Sequence, residues 1–110
     1  MKFLVLMAEE DHFARWDVAS EEQQQAFFDA LDAFTTAVRE RGEVLAGEAL
    51  ARPDRAVTIR GDRTVDGPYA ETVEQLGGFY VVDLPSLEDA VEAARLLTMP
   101  SVEVRPILTM

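Results

Sequence analysis

The alternation of apolar and polar residues predicts strands at both ends of the chain and helices between them. Lys2 to Ala8 is an almost continuous apolar run, which is typical of a buried strand. Between Ser20 and Gly42, apolar residues recur at helical spacing, which predicts an amphipathic helix. Its apolar stripe consists of Phe27, Leu31, Phe34 and Val38.

Two helices carry recognisable start signals. Ser20 with Gln23 forms a capping box, and Gly42 is expected to end that helix in the left-handed conformation. A second helix is expected to begin after Ser86, with Asp89 at its third position, and to end at Met99–Pro100. Its predicted apolar face comprises Leu87, Val91, Ala94 and Leu97.

The remaining segments complete a β-α-β-β-β-α-β order. This split βαβ arrangement predicts one domain over residues 1–110, of α+β class, ferredoxin-like, with an antiparallel sheet. The stretch Glu9–Ala19 is expected to be irregular, and Asp66–Gly78 is expected to be a long loop. The further strands are expected at Glu43–Leu50, Ala56–Gly61, Phe79–Leu84 and from Ser101 to about Leu108.

Both faces of the central strands are apolar, which bears on assembly. In the first strand Phe3 and Val5 point one way and Leu4 and Leu6 the other. Two helices can cover only one face of a four-stranded sheet, so the second face needs another cover. We expect a second copy of the chain to supply it, giving a homodimer. The alternative is that the two irregular stretches fold over this face.

The composition narrows the possible partners and the compartment. The net charge of −11 and pI near 4.3 disfavour nucleic acid and membrane surfaces as partners. The absence of cysteine removes disulfides and thiolate metal sites, and it suits a cytoplasmic protein. No phosphate loop and no pair of histidines at metal spacing is present, so we expect no cofactor and no metal.

A long irregular motif carries a family resemblance. Asp66-Gly67-Pro68-Tyr69-Ala70-Glu71-Thr72, followed by Glu74-Gln75-Leu76-Gly77-Gly78-Phe79-Tyr80, resembles the signature of the YCII-related family. More narrowly, it is similar to the subgroup named for its Asp-Gly-Pro-Phe (DGPF) motif, with Tyr69 in place of Phe. The resemblance implies a ferredoxin-like fold that dimerises into an α+β barrel, with roles mostly unassigned.

The resemblance also implies a possible catalytic pair and a possible partner. A His on the first helix and an Asp near the end of the second have been suggested as a pair in the wider family. Neither stands at the matching place here, because the helix 20–42 has no His and the second helix ends without an acid. Similar proteins often accompany transcription sigma factors, which implies a protein partner of that kind.

The motif itself offers candidate site residues. Asp66 and Glu71 could serve as general acid and base if burial separates their pKa values. Tyr69, Thr72 and Glu74 could contact a ligand beside them. The structural alternative is that the motif only shapes a turn in the backbone and binds nothing. Its structural residues would then be Gly67, Pro68, Gly77 and Gly78.

Three residues outside the motif complete the candidate ligand contacts. His12 is the only histidine and could shuttle a proton, although a solvated loop position is the simpler interpretation. Trp16, the only tryptophan, could line a pocket or pack in the core. Arg105 could reach a site at the dimer seam or pair with Glu103 across strands.

Three functions fit these features. The first is a homodimeric domain that binds a small molecule in an accessory or regulatory role. The second is a small cofactor-free enzyme that uses the carboxylates of Asp66 and Glu71. The third is a protein-interaction partner, for which the resemblance suggests a sigma factor.

Overall fold

The computed structural model describes residues 1–70 and 73–110. Three helices and six strands are present in these ranges, with a short 3-10 turn at Pro53–Arg55. The strands are β1 (Lys2–Glu10), β2 (Glu43–Ala49), β3 (Val57–Arg60), β4 (Arg63–Asp66), β5 (Glu74–Asp83) and β6 (Ser101–Pro106). The helices are α1 (His12–Val18), α2 (Glu21–Arg41) and α3 (Leu87–Ala94).

Four strands form an antiparallel sheet in the order β2-β5-β1-β6. Each βαβ unit is split by an inserted antiparallel strand, which is the expected ferredoxin-like order. The predicted α+β class with an antiparallel sheet is therefore confirmed. The segment expected as a third strand of that sheet does not join it. Instead β3 pairs with β4 in a separate two-stranded sheet.

The core lies on the helical side of the sheet. Phe3, Val5 and Met7 of β1 are buried there against Phe34 and Val38 of α2. The capping box of α2 is confirmed, because Ser20 Oγ accepts from the Gln23 amide while the Gln23 side chain accepts from the Ser20 amide. This fixed start aligns the predicted stripe with the sheet.

Gly42 corrects the predicted helix ending. Its φ of −166° is extended backbone rather than left-handed. A Cβ at Gly42 would overlap the carbonyl oxygen of Asp83, so the missing side chain allows a close approach between chain segments. Glycine is therefore needed here for space and not for an unusual dihedral angle.

The other two helices differ from the predicted boundaries. The stretch Glu9–Ala19 is not irregular, since it finishes β1 and forms α1. The helix α3 ends at Ala94, before Met99, because the next amides bond three residues back, as Leu97 does to Ala94. Of the predicted apolar face, Ala94 and Leu97 are buried, but Leu87 is 43% exposed, and alanines form the buried side of the helix itself. The alanines are Ala90, Ala93 and Ala94.

The opposite face of the sheet is apolar at its centre and charged at its rim. Leu4 lies opposite Val81, and Leu6 lies opposite Phe79. All four side chains are only half-buried in the single chain. We call this surface the open face. The strand register places charged residues around this apolar centre, namely Lys2, Glu48, Asp83, Glu103 and Arg105.

No helix within the described ranges is long and apolar enough to span a membrane.

Candidate functional site

The sole histidine is held at the junction of β1 and α1. Odd-numbered residues of β1 point toward the helices, and Glu9 continues that side. The chain then turns at Asp11, whose φ of 52° is left-handed. This turn brings His12 back over the strand, where its Nδ1 lies 3.3 Å from Oε2 of Glu9. The two side chains are 12% and 22% exposed.

Contacts distant in sequence hold α1 in this position. The Phe13 amide donates to Oε1 of Gln75 on β5, at 3.2 Å. Arg52, which follows β2, donates from Nη2 to both carboxylate oxygens of Asp17, at 2.6 and 2.7 Å. Its guanidinium also lies 5.6 Å from the ring centre of Phe13. The hydrogen bond and charge of Asp17 raise the pKa of Arg52 above its usual value.

A bulge in β5 makes room for the imidazole. Met7 pairs with Gly78 and Ala8 with Leu76, so Gly77 is the extra residue. A Cβ on Gly77 would lie 2.6 Å from Nε2 of His12. The missing side chain therefore provides the space that the imidazole ring occupies.

A small cavity of about 200 Å³ opens beside this ring on the helical side of the sheet. We call it the His12 cavity. Its walls are mostly apolar, and Glu48 is its one charged residue among those described. The residues that line it besides His12 and Glu48 are Met7, Phe27, Leu31, Gly47, Ala49, Gly77, Gly78, Phe79, Tyr80 and Met99.

Tyr80 forms part of the cavity wall. Its ring packs 4.8 Å from that of Phe34 and lies over Gly47, where a Cβ would come within 2.5 Å of the ring. Burial raises the pKa of the Tyr80 hydroxyl, and the charge of Asp32 adds to the effect. The hydroxyl therefore stays protonated beyond its ordinary range.

His12 and Glu9 also border a wider, more open depression of about 410 Å³. Trp16 lines this depression and packs edge-on against Phe27 and Phe28, with ring centres 5.3 and 5.6 Å away. Trp16 thus packs against α2 and borders this depression, while the predicted role in ligand binding stays a prediction.

The His12–Glu9 geometry has a defined chemical consequence. When the Nδ1–H of the neutral ring donates to Glu9, Nε2 becomes a hydrogen-bond acceptor. A carboxylate on Nδ1 also stabilises the ring when Nε2 takes up a proton. The pair could therefore bind a hydroxyl group or act as a general base. No group of three or more potential metal ligands occurs in the part of the chain described.

A third cavity lies where the β3–β4 hairpin joins the main sheet. It measures about 640 Å³, and Tyr69 and Glu74 are among its lining residues. Oε1 of Glu74 also accepts from the Ser101 hydroxyl at 2.7 Å. Strand β5 already begins at Glu74, so the predicted loop Asp66–Gly78 is shorter than expected at both ends.

The beginning of the Asp-Gly-Pro motif closes the hairpin. Gly67, with φ of 103°, donates its amide to Ala56, and its carbonyl accepts from the Thr58 hydroxyl at 2.7 Å. Asp66 itself is exposed on β4 and does not line the third cavity. Pro68 is exposed and lines that cavity. Glu71 and Thr72 lie outside the described residues.

Arg105 lies apart from these cavities, at the rim of the open face opposite Leu4. It pairs with Glu103 at 2.6 Å, which is two residues away on the same strand and not across strands. The structure thus brings His12, Trp16, Gly77 and Gly78 together, with Tyr69 and Glu74 in the neighbouring cavity and Arg105 elsewhere.

Sequence reasoning missed Glu9 as the partner of His12. The usable signal was their spacing of three residues across a strand-to-helix turn, with Asp, a residue that tolerates positive φ, between them. It also placed His12 on a solvated loop, whereas His12 begins α1 and is largely buried. The walls of the cavity could not be assigned because they come from five separate elements and the segment after α3.

Comparison with known proteins identifies the family. A protein of Rhizobium meliloti (strain 1021), described as uncharacterised, is 37% identical over 97 residues, which cover 80% of this chain and 78% of the relative. Residues 1–110 match the YCII-related domain. The predicted resemblance at that level is confirmed, and the chain belongs to the YCII-related domain family.

Proposed function

We propose that the chain is a homodimeric domain that binds a small, uncharged, largely apolar molecule bearing a hydroxyl group. The ligand would occupy the His12 cavity and donate its hydroxyl proton to Nε2 of His12. The observation that carries the proposal is the largely buried His12–Glu9 contact, which leaves Nε2 as the acceptor at an apolar wall.

Cavity size and charge set the ligand class. An apolar cavity of about 150 Å³ is known to accept benzene, so about 200 Å³ suits a molecule of one ring. An anion is disfavoured by the net charge of −11. A neutral hydroxyl compound is not repelled by this charge.

Binding can be tested with 4-fluorophenol followed by fluorine NMR. The proposal expects saturable binding to the wild type and about tenfold weaker binding to His12→Gln, as expected for the loss of one buried hydrogen bond. Trp16→Phe, which alters the neighbouring depression, is the matched control and should bind nearly normally. Fluorobenzene and 4-fluorobenzoate should bind more weakly than the phenol. Equal binding by wild type and His12→Gln would contradict the proposal.

A homodimer is supported by the open face. Leu4, Leu6, Phe79 and Val81 form a continuous apolar centre that remains half-exposed in one chain. The proposed dimer interface and the His12 cavity therefore lie on opposite faces of the sheet. Sedimentation of wild type and Val81→Lys tests this: the wild type should sediment as a dimer, and the charged variant as a monomer. A wild-type monomer at micromolar concentration would contradict it.

A second candidate function is acid–base catalysis by the same pair. With Glu9 on Nδ1, Nε2 of His12 could accept a proton from a carbon next to a ketone. Cyclohexanone in D₂O is a suitable probe because its size suits the cavity. Wild type should accelerate exchange of its α-protons, and both His12→Gln and Glu9→Gln should lose the effect. No acceleration above buffer would dismiss this candidate.

The finer predictions from the sequence remain proposals. They include the DGPF subgroup, the cytoplasmic location, the sigma-factor partner and an acid–base role for Asp66 and Glu71. Asp66 is exposed on β4 and does not line the His12 cavity. Asp66→Asn should therefore leave cyclohexanone exchange unchanged if the His12–Glu9 pair is responsible.

A further inference from the structure

Two side chains bring hydrogen-bonding groups to the His12 cavity within the described part of the chain. His12 lies at one end, over Gly77, and Tyr80 lies three residues further along β5. Glu48, the remaining polar residue of the wall, belongs to the open face, because it lies in register with Phe79. The other lining residues are apolar or glycine. The side chains of His12 and Tyr80 are therefore the ones that can orient a ligand there.

The Tyr80 ring is held in place while its hydroxyl group is unengaged. Phe34 packs against the ring at 4.8 Å, and the absence of a side chain at Gly47 lets the ring lie against β2. Within the described ranges no protein group bonds to the hydroxyl, and no polar side-chain atom there is both buried and unpaired. The Tyr80 hydroxyl is therefore within reach of water or of a ligand.

The two ends of the cavity are complementary to different chemical groups. The hydroxyl of Tyr80 keeps its proton, because burial and the charge of Asp32 raise its pKa, and a protonated phenol donates a hydrogen bond. Nε2 of the neutral His12 ring accepts a hydrogen bond when Nδ1 donates to Glu9. A ligand hydroxyl group thus fits the His12 end, and a carbonyl oxygen, which only accepts, fits the Tyr80 end.

The spacing along β5 sets the size of such a ligand. Gly77 and Tyr80 are three residues apart, which is about 10 Å in a strand. Two hydrogen bonds of about 2.8 Å each take up roughly half of this span. The remainder, about 4–5 Å, is close to the distance between substituents on opposite sides of a six-membered ring. The cavity volume of about 200 Å³ also suits one ring.

We infer that Tyr80 is the second hydrogen-bonding residue of the His12 cavity, and that the ligand is a one-ring compound with a hydroxyl group opposite a carbonyl group. The inference rests on the proposed function, because it takes the hydroxyl group at His12 as given. It adds the residue that distinguishes one hydroxyl compound from another. Such a compound is uncharged, so the net charge of −11 does not repel it.

Two uncharged compounds of equal size test the inference. 4-Hydroxycyclohexanone has the carbonyl group, and trans-4-methylcyclohexanol has an apolar group in its place. Their dissociation constants are measured by titration of the ¹⁵N-labelled protein followed by NMR. Tyr80→Phe should lower the preference for the ketone over the methyl compound by about tenfold, because the carbonyl group is then left unpaired in an apolar cavity. Tyr69→Phe, at the other tyrosine, is the matched control and should keep the wild-type preference.

His12→Gln separates this inference from the proposed function. Both compounds carry the hydroxyl group, so this variant should weaken the binding of both by about the same factor. If His12→Gln does so but Tyr80→Phe leaves the preference unchanged, the role of Tyr80 is overturned and the proposed function is kept. Binding of 4-fluorophenol but of neither cyclohexane compound would also overturn the inference alone. A wild type that binds none of the three compounds would overturn both.

Discussion

His12 Nδ1 and Glu9 Oε2 lie 3.3 Å apart across a left-handed turn at Asp11. The pair joins the end of a central strand to a short helix and borders two cavities. Arg15 approaches the other oxygen of Glu9 at 3.9 Å, on the more exposed side. The charge of Arg15 thus helps to position one carboxylate oxygen of Glu9, and the other oxygen orients the imidazole ring of His12.

Gly77→Ala should displace the imidazole, because the new Cβ would come within 2.6 Å of Nε2. The variant should lose 4-fluorophenol binding and about 1–3 kcal/mol of stability from overpacking. Two-dimensional NMR of the single histidine measures the displacement. Gly78→Ala is the control, since its Cβ would crowd Glu48 O at 3.0 Å instead. Unchanged His12 signals in Gly77→Ala would refute the packing described.

Arg52→Gln should loosen α1 without unfolding the domain. The Arg52–Asp17 pair is exposed, so its loss should affect local opening more than global stability. Amide exchange of α1 should accelerate severalfold relative to α2. The wild type at about 1 M salt should shift in the same direction, because screening shortens to ~3 Å. Arg55→Gln is a control, and equal exchange in both variants would refute the role given to Arg52.

Tyr80 should give the protein a stability loss in alkali. Its folded-state pKa is raised by burial, so the folded form retains the proton longer than the unfolded form. The contribution of the protonated Tyr80 hydroxyl to the free energy of unfolding is fully present below the pKa of the unfolded form. It is lost as the pH rises through the pKa of the folded form. Absorbance of tyrosinate should show a late step that Tyr80→Phe removes and Tyr69→Phe leaves in place. Removal by Tyr69→Phe instead would contradict the burial argument.

Phe34→Ala should cost about 3–5 kcal/mol, because it empties a fully buried site between α2 and the sheet. Phe28→Ala, at the neighbour of Phe27 that lies outside the apolar stripe and is 48% exposed, should cost less than about 1.5 kcal/mol. Denaturant unfolding followed by Trp16 fluorescence measures both. Protein concentration is kept fixed, because a dimer unfolds with concentration dependence. Similar losses for the two variants would contradict the assigned core.

Local pattern explains which elements were predictable. The helix α2 has its own capping box and apolar stripe, so sequence alone indicates both its start and its buried face. The helix α1 has only seven residues and depends on Gln75 and Arg52, which lie 62 and 35 residues from their partners. Such long-range contacts leave no periodic signal, so this segment was expected to be irregular.

The site was only partly predictable for the same reason. His12 and Gly77 were both identified in the sequence, but for different roles. Their contact depends on the bulge that offsets Gly77 from Met7 and Ala8. A register shift between distant strands is set by tertiary packing, which sequence spacing does not report.

The most direct measurement of the central claim is the ¹⁵N NMR spectrum of His12, recorded at a pH at which the imidazole ring is neutral. The account predicts that Nδ1 carries the proton, that Nε2 has the shift of an acceptor, and that 4-fluorophenol moves the Nε2 signal. A proton on Nε2, with no response to the phenol, would contradict it.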